Sequence, residues 1–158
     1  MNITIEQLQL PELEAFLREQ ADDAFPSLKD EQRLHALAEK WHTYAEFCTC
    51  RDANGQLVGM IAFYANNPAE KMIYLPHVYV SSKIRKKGLF SKMLAMVEQI
   101  GQERGYNRIR LEVDKGNEVA ISCYKKRGFE INCIKEQSYY LEKHFKRQYD
   151  YDRMRKDY

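Results

Sequence analysis

The stretch from Val78 to Ser91, VYVSSKIRKKGLFS, constrains this chain more than any other, because it dictates three elements in succession. Alternating apolar residues make a strand, the basic run after it is a loop, and Gly88 opens an amphipathic helix. The helix shows Leu89, Met93, Leu94, Val97 and Ile100 at core spacing. A helix N-terminus carries unpaired backbone N–H groups and the positive end of the dipole, which suits a phosphate. Arg85, Lys86 and Lys87 add positive charge, and Gly88 allows the backbone to approach an anion closely. The segment reads as a seat for a phosphorylated cofactor, with a basic turn capping a surface helix as the plain alternative. A Walker loop needs a Gly-Lys-Ser/Thr ending, and a dinucleotide fingerprint needs three spaced glycines. Neither pattern is present.

The rest of the chain falls into elements around this segment. Ile3 to Leu8 alternates as a first strand, and Pro11 opens a helix with Leu13, Phe16 and Leu17 on one face. Pro26 interrupts it, and Asp30 is the N-cap expected for a second helix through about Trp41. Glu46–Arg51 and Gln56–Tyr64 are strands joined by the hairpin signal Asp52-Ala53-Asn54-Gly55. Met72–Val80 is the next strand, then a helix from about Lys87 to Arg104. Arg108–Val113 is a strand, Asn117–Lys126 a helix, Phe129–Ile134 a strand, and Ser138–Leu141 closes the sheet. The order is strand, two helices, three strands, helix, strand, helix, two strands, a mixed α/β sheet with helices packed on it. No internal repeat or linker marks a second domain.

Composition narrows the function. A length of 158 residues is one domain with a single core. A net charge of +2 leaves no broad basic surface for nucleic acid, so any anion site is local. The opening MNITIEQLQL carries charge in its short apolar stretch and lacks a cleavage-type ending, so a signal peptide is not expected. No apolar run reaches membrane-spanning length. Cys48, Cys50, Cys123 and Cys133 lack zinc-ligand spacing and are expected to be buried free thiols in a reducing cytoplasm.

Arg85-Lys86-Lys87-Gly88-Leu89-Phe90 resembles the acetyl-CoA motif Arg/Gln-x-x-Gly-x-Gly/Ala of the GCN5-related N-acetyltransferase (GNAT) superfamily. About thirty residues on, LEVDKGNEVAISCYKKRGFEI resembles the same superfamily's later motif, with Asn117, Ala120, Tyr124, Gly128 and Phe129 in place. Two motifs in the right order are far more specific than either alone. The resemblance spans about Ile3 to Leu141, so residues 1–141 read as the GNAT domain and 142–158 as a C-terminal extension.

The resemblance implies a mostly antiparallel central sheet flanked by helices, with splayed fourth and fifth strands, here Met72–Val80 and Arg108–Val113. It implies acetyl-CoA as co-substrate, no metal, and transfer of the acetyl group to a primary amine by direct attack in a ternary complex. The pyrophosphate would sit on the N–H groups of Lys86, Lys87, Gly88, Leu89, Phe90 and Ser91, with Arg85 beside them. Backbone groups of Val78, Tyr79 and Val80 would pair with the pantetheine arm, and one N–H would serve the thioester oxygen. Phe90 replaces the motif's small residue, so its ring is expected to point into the helix–sheet core.

By the same resemblance Tyr124 would protonate the leaving thiolate, against a plain packing role, and Asn117 would contact the pantetheine arm besides capping its helix. Three candidates for the general base stand open. Glu112 lies off the apolar face of Ile109, Leu111 and Val113, where desolvation can raise a carboxyl pKa. His77 needs no such tuning but shares a face with Ile73 and Tyr79, which suits a structural histidine. Asp114 is the third, and ordered water is an alternative to all of them.

The acceptor region implied by the family spans Phe25 to Trp41, the Asn66–Met72 loop and the C-terminal strands, where Asp22, Asp23, Asp30 and Glu31 can attract a cationic amine. The leading acceptor is a small-molecule amine, amino sugars included. A protein N-terminus or lysine is the alternative, as is a catalytically silent CoA-binding domain. The assembly is a monomer or homodimer with neither membrane nor nucleic acid as a partner. The extension EKHFKRQYDYDRMRKDY reads as a solvated tail.

Overall fold

The computed structural model of the protein describes residues 1–85 and 88–145. Lys86, Lys87 and residues 146–158 of the C-terminal extension lie outside the described residues. Seven strands form one sheet in the order β1-β2-β3-β4-β5-β7-β6. The strands are β1 (Asn2–Glu6), β2 (Glu46–Arg51), β3 (Leu57–Tyr64), β4 (Met72–Val80), β5 (Arg108–Asp114), β6 (Glu130–Ile134) and β7 (Ser138–His144). The helices are α1 (Leu10–Asp23), α2 (Glu31–Tyr44), α3 (Leu89–Glu103) and α4 (Glu118–Lys126). Their order along the chain is the one that the alternation and helical spacing predict. β1 stops two residues short of the expected Leu8, and β7 runs past the expected Leu141. Leu8 is buried as part of the turn into α1, which is why it extends the apolar pattern without extending the strand.

The fold divides into two compact units. The first comprises Met1–Tyr64 and His77–Ala95, and the second Ala65–Pro76 and the chain from Met96 onward.

In the first unit, α1 buries Leu13, Phe16, Leu17, Gln20 and Ala21, a stripe at helical spacing. Asp30 caps α2 by accepting from the N–H groups of Gln32 (3.0 Å) and Arg33 (3.3 Å). Leu34, Ala38 and Trp41 of α2 join the α1 stripe and Phe47, Met60, Ala62 and Tyr79 of the strands in one core. β1, β2 and β3 are antiparallel, and the expected hairpin closes with Gly55 N–H donating to Asp52 O at 3.0 Å. Arg51 reaches both Glu6 (2.7 Å) and Glu12 (2.8 Å), tying β1 and the start of α1 to β2.

In the second unit, β5 turns Ile109, Leu111 and Val113 inward and leaves Glu112 and Asp114 exposed, the alternation expected from sequence. β7 lies antiparallel between β5 and β6. The parallel β4–β5 ladder runs from Met72↔Arg108 to Leu75↔Leu111. The next residue of β4 is Pro76, which has no N–H to give a neighbouring strand. Gly101 of α3 lies so close to Ile73 that an added Cβ would collide with the Ile73 Cδ1 and meet Phe145 Cζ at 3.1 Å.

Candidate active site

The phosphate seat begins at Gly88, whose φ of +72° a side-chain-bearing residue rarely adopts. Among the described residues nothing lies within 4 Å of the space where its Cβ would be. Gly88 O accepts from Lys92 N–H at 3.2 Å, so the first turn of α3 closes on the glycine itself. An open glycine with a left-handed backbone at a helix mouth is what close approach by an anion requires. Lys86 and Lys87, the two lysines expected to add charge, lie outside the described residues.

Leu89, Phe90 and Arg85 complete the described part of this segment. Leu89, with 6% of its surface exposed, is the residue that the first turn buries, while Phe90 is half-buried. The helix starts at Leu89, which lies four positions before the buried Met93, while Phe90 lies four before the buried Leu94. Arg85, read as a charge for the pyrophosphate, is engaged within the protein. Its Nη2 donates to Asp23 at 3.1 Å and its Nε to Val80 O at 2.8 Å.

At the end of β4, Val78 and Val80 are half-buried and Tyr79 is buried. The Tyr79 ring packs edge-on against Phe16 and Phe25, and its hydroxyl donates to Asp23 at 2.5 Å. Burial, with the Asp23 carboxylate beside it, pushes the Tyr79 phenol up to about 12. The Tyr79 hydroxyl, with Ser82 N–H, holds the Asp23 carboxyl below its usual range.

His77 is buried, stacked on Trp41 (4.8 Å) and tilted against Phe25 (4.5 Å). Its Nε2 lies 2.5 Å from Gln20 Oε1. Desolvation pushes its pKa down to about 4. The imidazole is therefore neutral near pH 7, a core histidine on the face it shares with Tyr79.

In the second unit, Asn117 caps α4 as the sequence predicts, its Oδ1 accepting from Ala120 N–H at 3.2 Å. Tyr124 is half-buried on α4 with its ring edge-on to Phe129 at 5.5 Å. Burial raises its phenol above the ordinary value, so it stays protonated at any physiological pH. For Glu112 the expected raised pKa is reversed. Ser138 Oγ donates to its carboxylate at 2.7 Å, Lys135 Nζ lies at 3.4 Å, and together they hold the carboxyl below its usual range. Its side of β5 is exposed, so the desolvation that would raise it is outweighed by these donors. Asp114 is exposed, and its backbone carbonyl accepts from Asn117 N–H at 3.0 Å.

The four cysteines are free as expected, but only Cys48 and Cys50 are buried; Cys133 is exposed on β6. Two surface clefts of about 540 and 570 Å³ flank α4, sharing Glu118, Ser122 and Lys126 in their linings. Among the described residues no three His, Cys, Asp or Glu side chains converge as a metal ion would need. Sequence reasoning missed Gln20, Ser138 and Lys135, and counted Asp23 only as diffuse negative charge. Their partners are 57, 26, 23 and 56 positions away, beyond the reach of local spacing.

Residues 12–129 match the model of the Acetyltransferase (GNAT) family, and the chain belongs to that family. Acetyl-CoA is its co-substrate. The fold is shared with the PaiA N-acetyltransferase of Thermoplasma acidophilum in complex with coenzyme A, at 20% identity and a TM-score of 0.70, covering 92% of this chain and 100% of that one. It is also similar to a GNAT-family acetyltransferase of Staphylococcus aureus Mu50, at 19% identity, TM-score 0.73 and coverage of 92% and 100%. Ard1 of Thermoplasma volcanium gives 19%, 0.70, 92% and 99% in the same terms.

Proposed function

We propose that the protein is an N-acetyltransferase that moves the acetyl group of acetyl-CoA to the primary amine of a small molecule. The observation that carries this reading is Gly88, left-handed, open and placed one residue before α3. A dipole-bearing helix mouth with a bare backbone suits a pyrophosphate, and each charged hydrogen bond there is worth about 1.5–3 kcal/mol. Leu89, Phe90 and Ser91 supply the N–H groups, with Lys86 and Lys87 adjoining them in sequence. Val78, Tyr79 and Val80 present strand backbone to the pantetheine arm, and Asn117 contacts the same arm. Tyr124, kept protonated by burial, donates to the departing thiolate.

Transfer to nitrogen is supported by the likeness to the Thermoplasma N-acetyltransferase and by the exposed Asp22 near the end of α1, which favours a cationic amine. Removal of the ammonium proton falls to Glu112, to His77 or to ordered water. Glu112 is ionised but weakly basic, and His77 is neutral with its Nε2 engaged by Gln20, so water relayed to a carboxylate fits these environments best.

Calorimetric titration with acetyl-CoA tests the reading, followed by free-thiol release against amino sugars, amino acids, polyamines and short peptides. Binding with turnover on one small-amine class is the expected result. Turnover only on peptides would move the acceptor to a protein N-terminus or lysine, and binding without turnover on any amine would point to a silent CoA-binding domain. Absence of acetyl-CoA binding would overturn the reading.

A further inference from the structure

Asp23, the last residue of α1, gathers three donors from β4 and the chain that follows it. They are Tyr79 Oη at 2.5 Å, Ser82 N–H at 3.1 Å and Arg85 Nη2 at 3.1 Å. Arg85 extends from this carboxylate back to Val80 O, with its guanidinium 5.9 Å from the centre of the Tyr79 ring. Tyr79 is itself fixed by Phe16 and Phe25, so the point to which the carboxylate is anchored is rigid.

An isolated pair this exposed, with 45% of Arg85 and 22% of Asp23 in solvent, contributes little to stability. Its effect is geometric. The carboxylate fixes a backbone N–H at Ser82, and through Arg85 a backbone carbonyl at Val80, so it sets the path of the chain from the end of β4 to Arg85. It also offsets the arginine's charge, which leaves the attraction at Gly88 to the helix mouth.

We propose that Asp23 is a positioning residue for acetyl-CoA, bracing the segment Val80–Arg85 that leads into the Gly88 seat, and that Arg85 acts through this brace instead of gripping the phosphate. The inference rests on the reading of Gly88 and the start of α3 as the pyrophosphate seat.

Acetyl-CoA is titrated by calorimetry into the wild type, Asp23→Asn, Asp23→Glu, Arg85→Ala and the Asp23→Asn/Arg85→Ala double variant, with a melting curve for each. Asp23→Asn is expected to weaken binding roughly tenfold, about one lost charged hydrogen bond, without a matching loss of melting temperature. Asp23→Glu should recover part of the affinity. The double variant should bind no worse than the weaker single, because both side chains serve one brace. Tighter binding by Asp23→Asn would mean that the carboxylate withholds Arg85 from the phosphate, and would overturn the proposal. Unchanged affinity, or losses that simply add, would overturn it as well. Should Asp23→Asn melt too early to titrate, Arg85→Lys decides the matter. It keeps the charge but cannot bridge Asp23 and Val80 O with a planar fork, so weakened binding supports the brace and wild-type affinity overturns it. Failure of the wild type to bind acetyl-CoA would instead remove the underlying reading, a result distinct from all of these.

Discussion

Tyr124 shows how much of a catalytic assignment rests on one atom. Its ring is placed by the edge-on contact with Phe129, and burial keeps its hydroxyl proton in place, so the side chain is a donor and never a base. Tyr124→Phe removes that proton and keeps the ring. Turnover should fall by roughly 100-fold, the scale of a lost general acid, while acetyl-CoA affinity by calorimetry stays at the wild-type value. Undiminished turnover would take Tyr124 out of the mechanism. The cap at Asn117 was legible from sequence, because it depends on a neighbour within one helix. The environments of Glu112 and His77 were not legible in the same way. Ser138 and Lys135 reach Glu112 from beyond α4, and Gln20 and Trp41 enclose His77 from α1 and α2. A pKa is set by such partners, so residue type and strand position could suggest a base without showing its strength.

At the scale of elements, period and punctuation carried most of the information. The 3.6-residue stripes of α1, α2 and α3, the alternation of β5, the Asp30 cap and the Asn54-Gly55 turn all follow from neighbours a few residues apart, whereas β2 buries Phe47, Cys48, Thr49 and Cys50 on both faces. Less legible was where pairing stops. Pro76 follows the last β4 pair at Leu75, and a proline inside an apolar run was the available sign. The close approach of α3 to β4 at Gly101 was likewise hidden, since it depends on packing across elements. In an exposed helix Gly→Ala would gain up to about 1 kcal/mol. Here the new methyl group meets the fully buried Ile73 and the Phe145 ring, and overpacking of that kind costs about 1–3 kcal/mol. Gly101→Ala should therefore lower the urea midpoint by the equivalent of about 1 kcal/mol. A higher midpoint would show that Ile73 can move aside and that helix propensity prevails.

For the molecule as a whole, the buried His77 makes stability depend on pH in a range where carboxylates contribute little. Its pKa is near 4 folded, against a reference value of 6.5. Between those values the unfolded chain binds a proton that the folded chain refuses, so stability is complete above pH 6.5 and declines as pH falls toward 4. The drop from pH 7 to pH 5 should be about 2 kcal/mol from this group. Urea midpoints at the two pH values should differ in the wild type and nearly coincide in His77→Leu. A variant that keeps the full drop would assign it to other groups. Glu6, lowered chiefly by its bond from Arg51, follows the same sign at lower pH, its contribution being lost as it becomes protonated. Each of the two compact units is assembled from two separated stretches of chain, and this affects the order in which the protein can be made. When a ribosome has added Ala95, the first unit has all its residues, whereas the second has only Ala65–Pro76. Its apolar strand start, with Ile73 and Leu75, must wait for Arg108–Leu111 to be synthesised before its parallel ladder can form. During that interval the nascent chain carries an unpaired apolar segment, so translation speed and chaperone capture bear most heavily on the residues between Ala95 and Leu111.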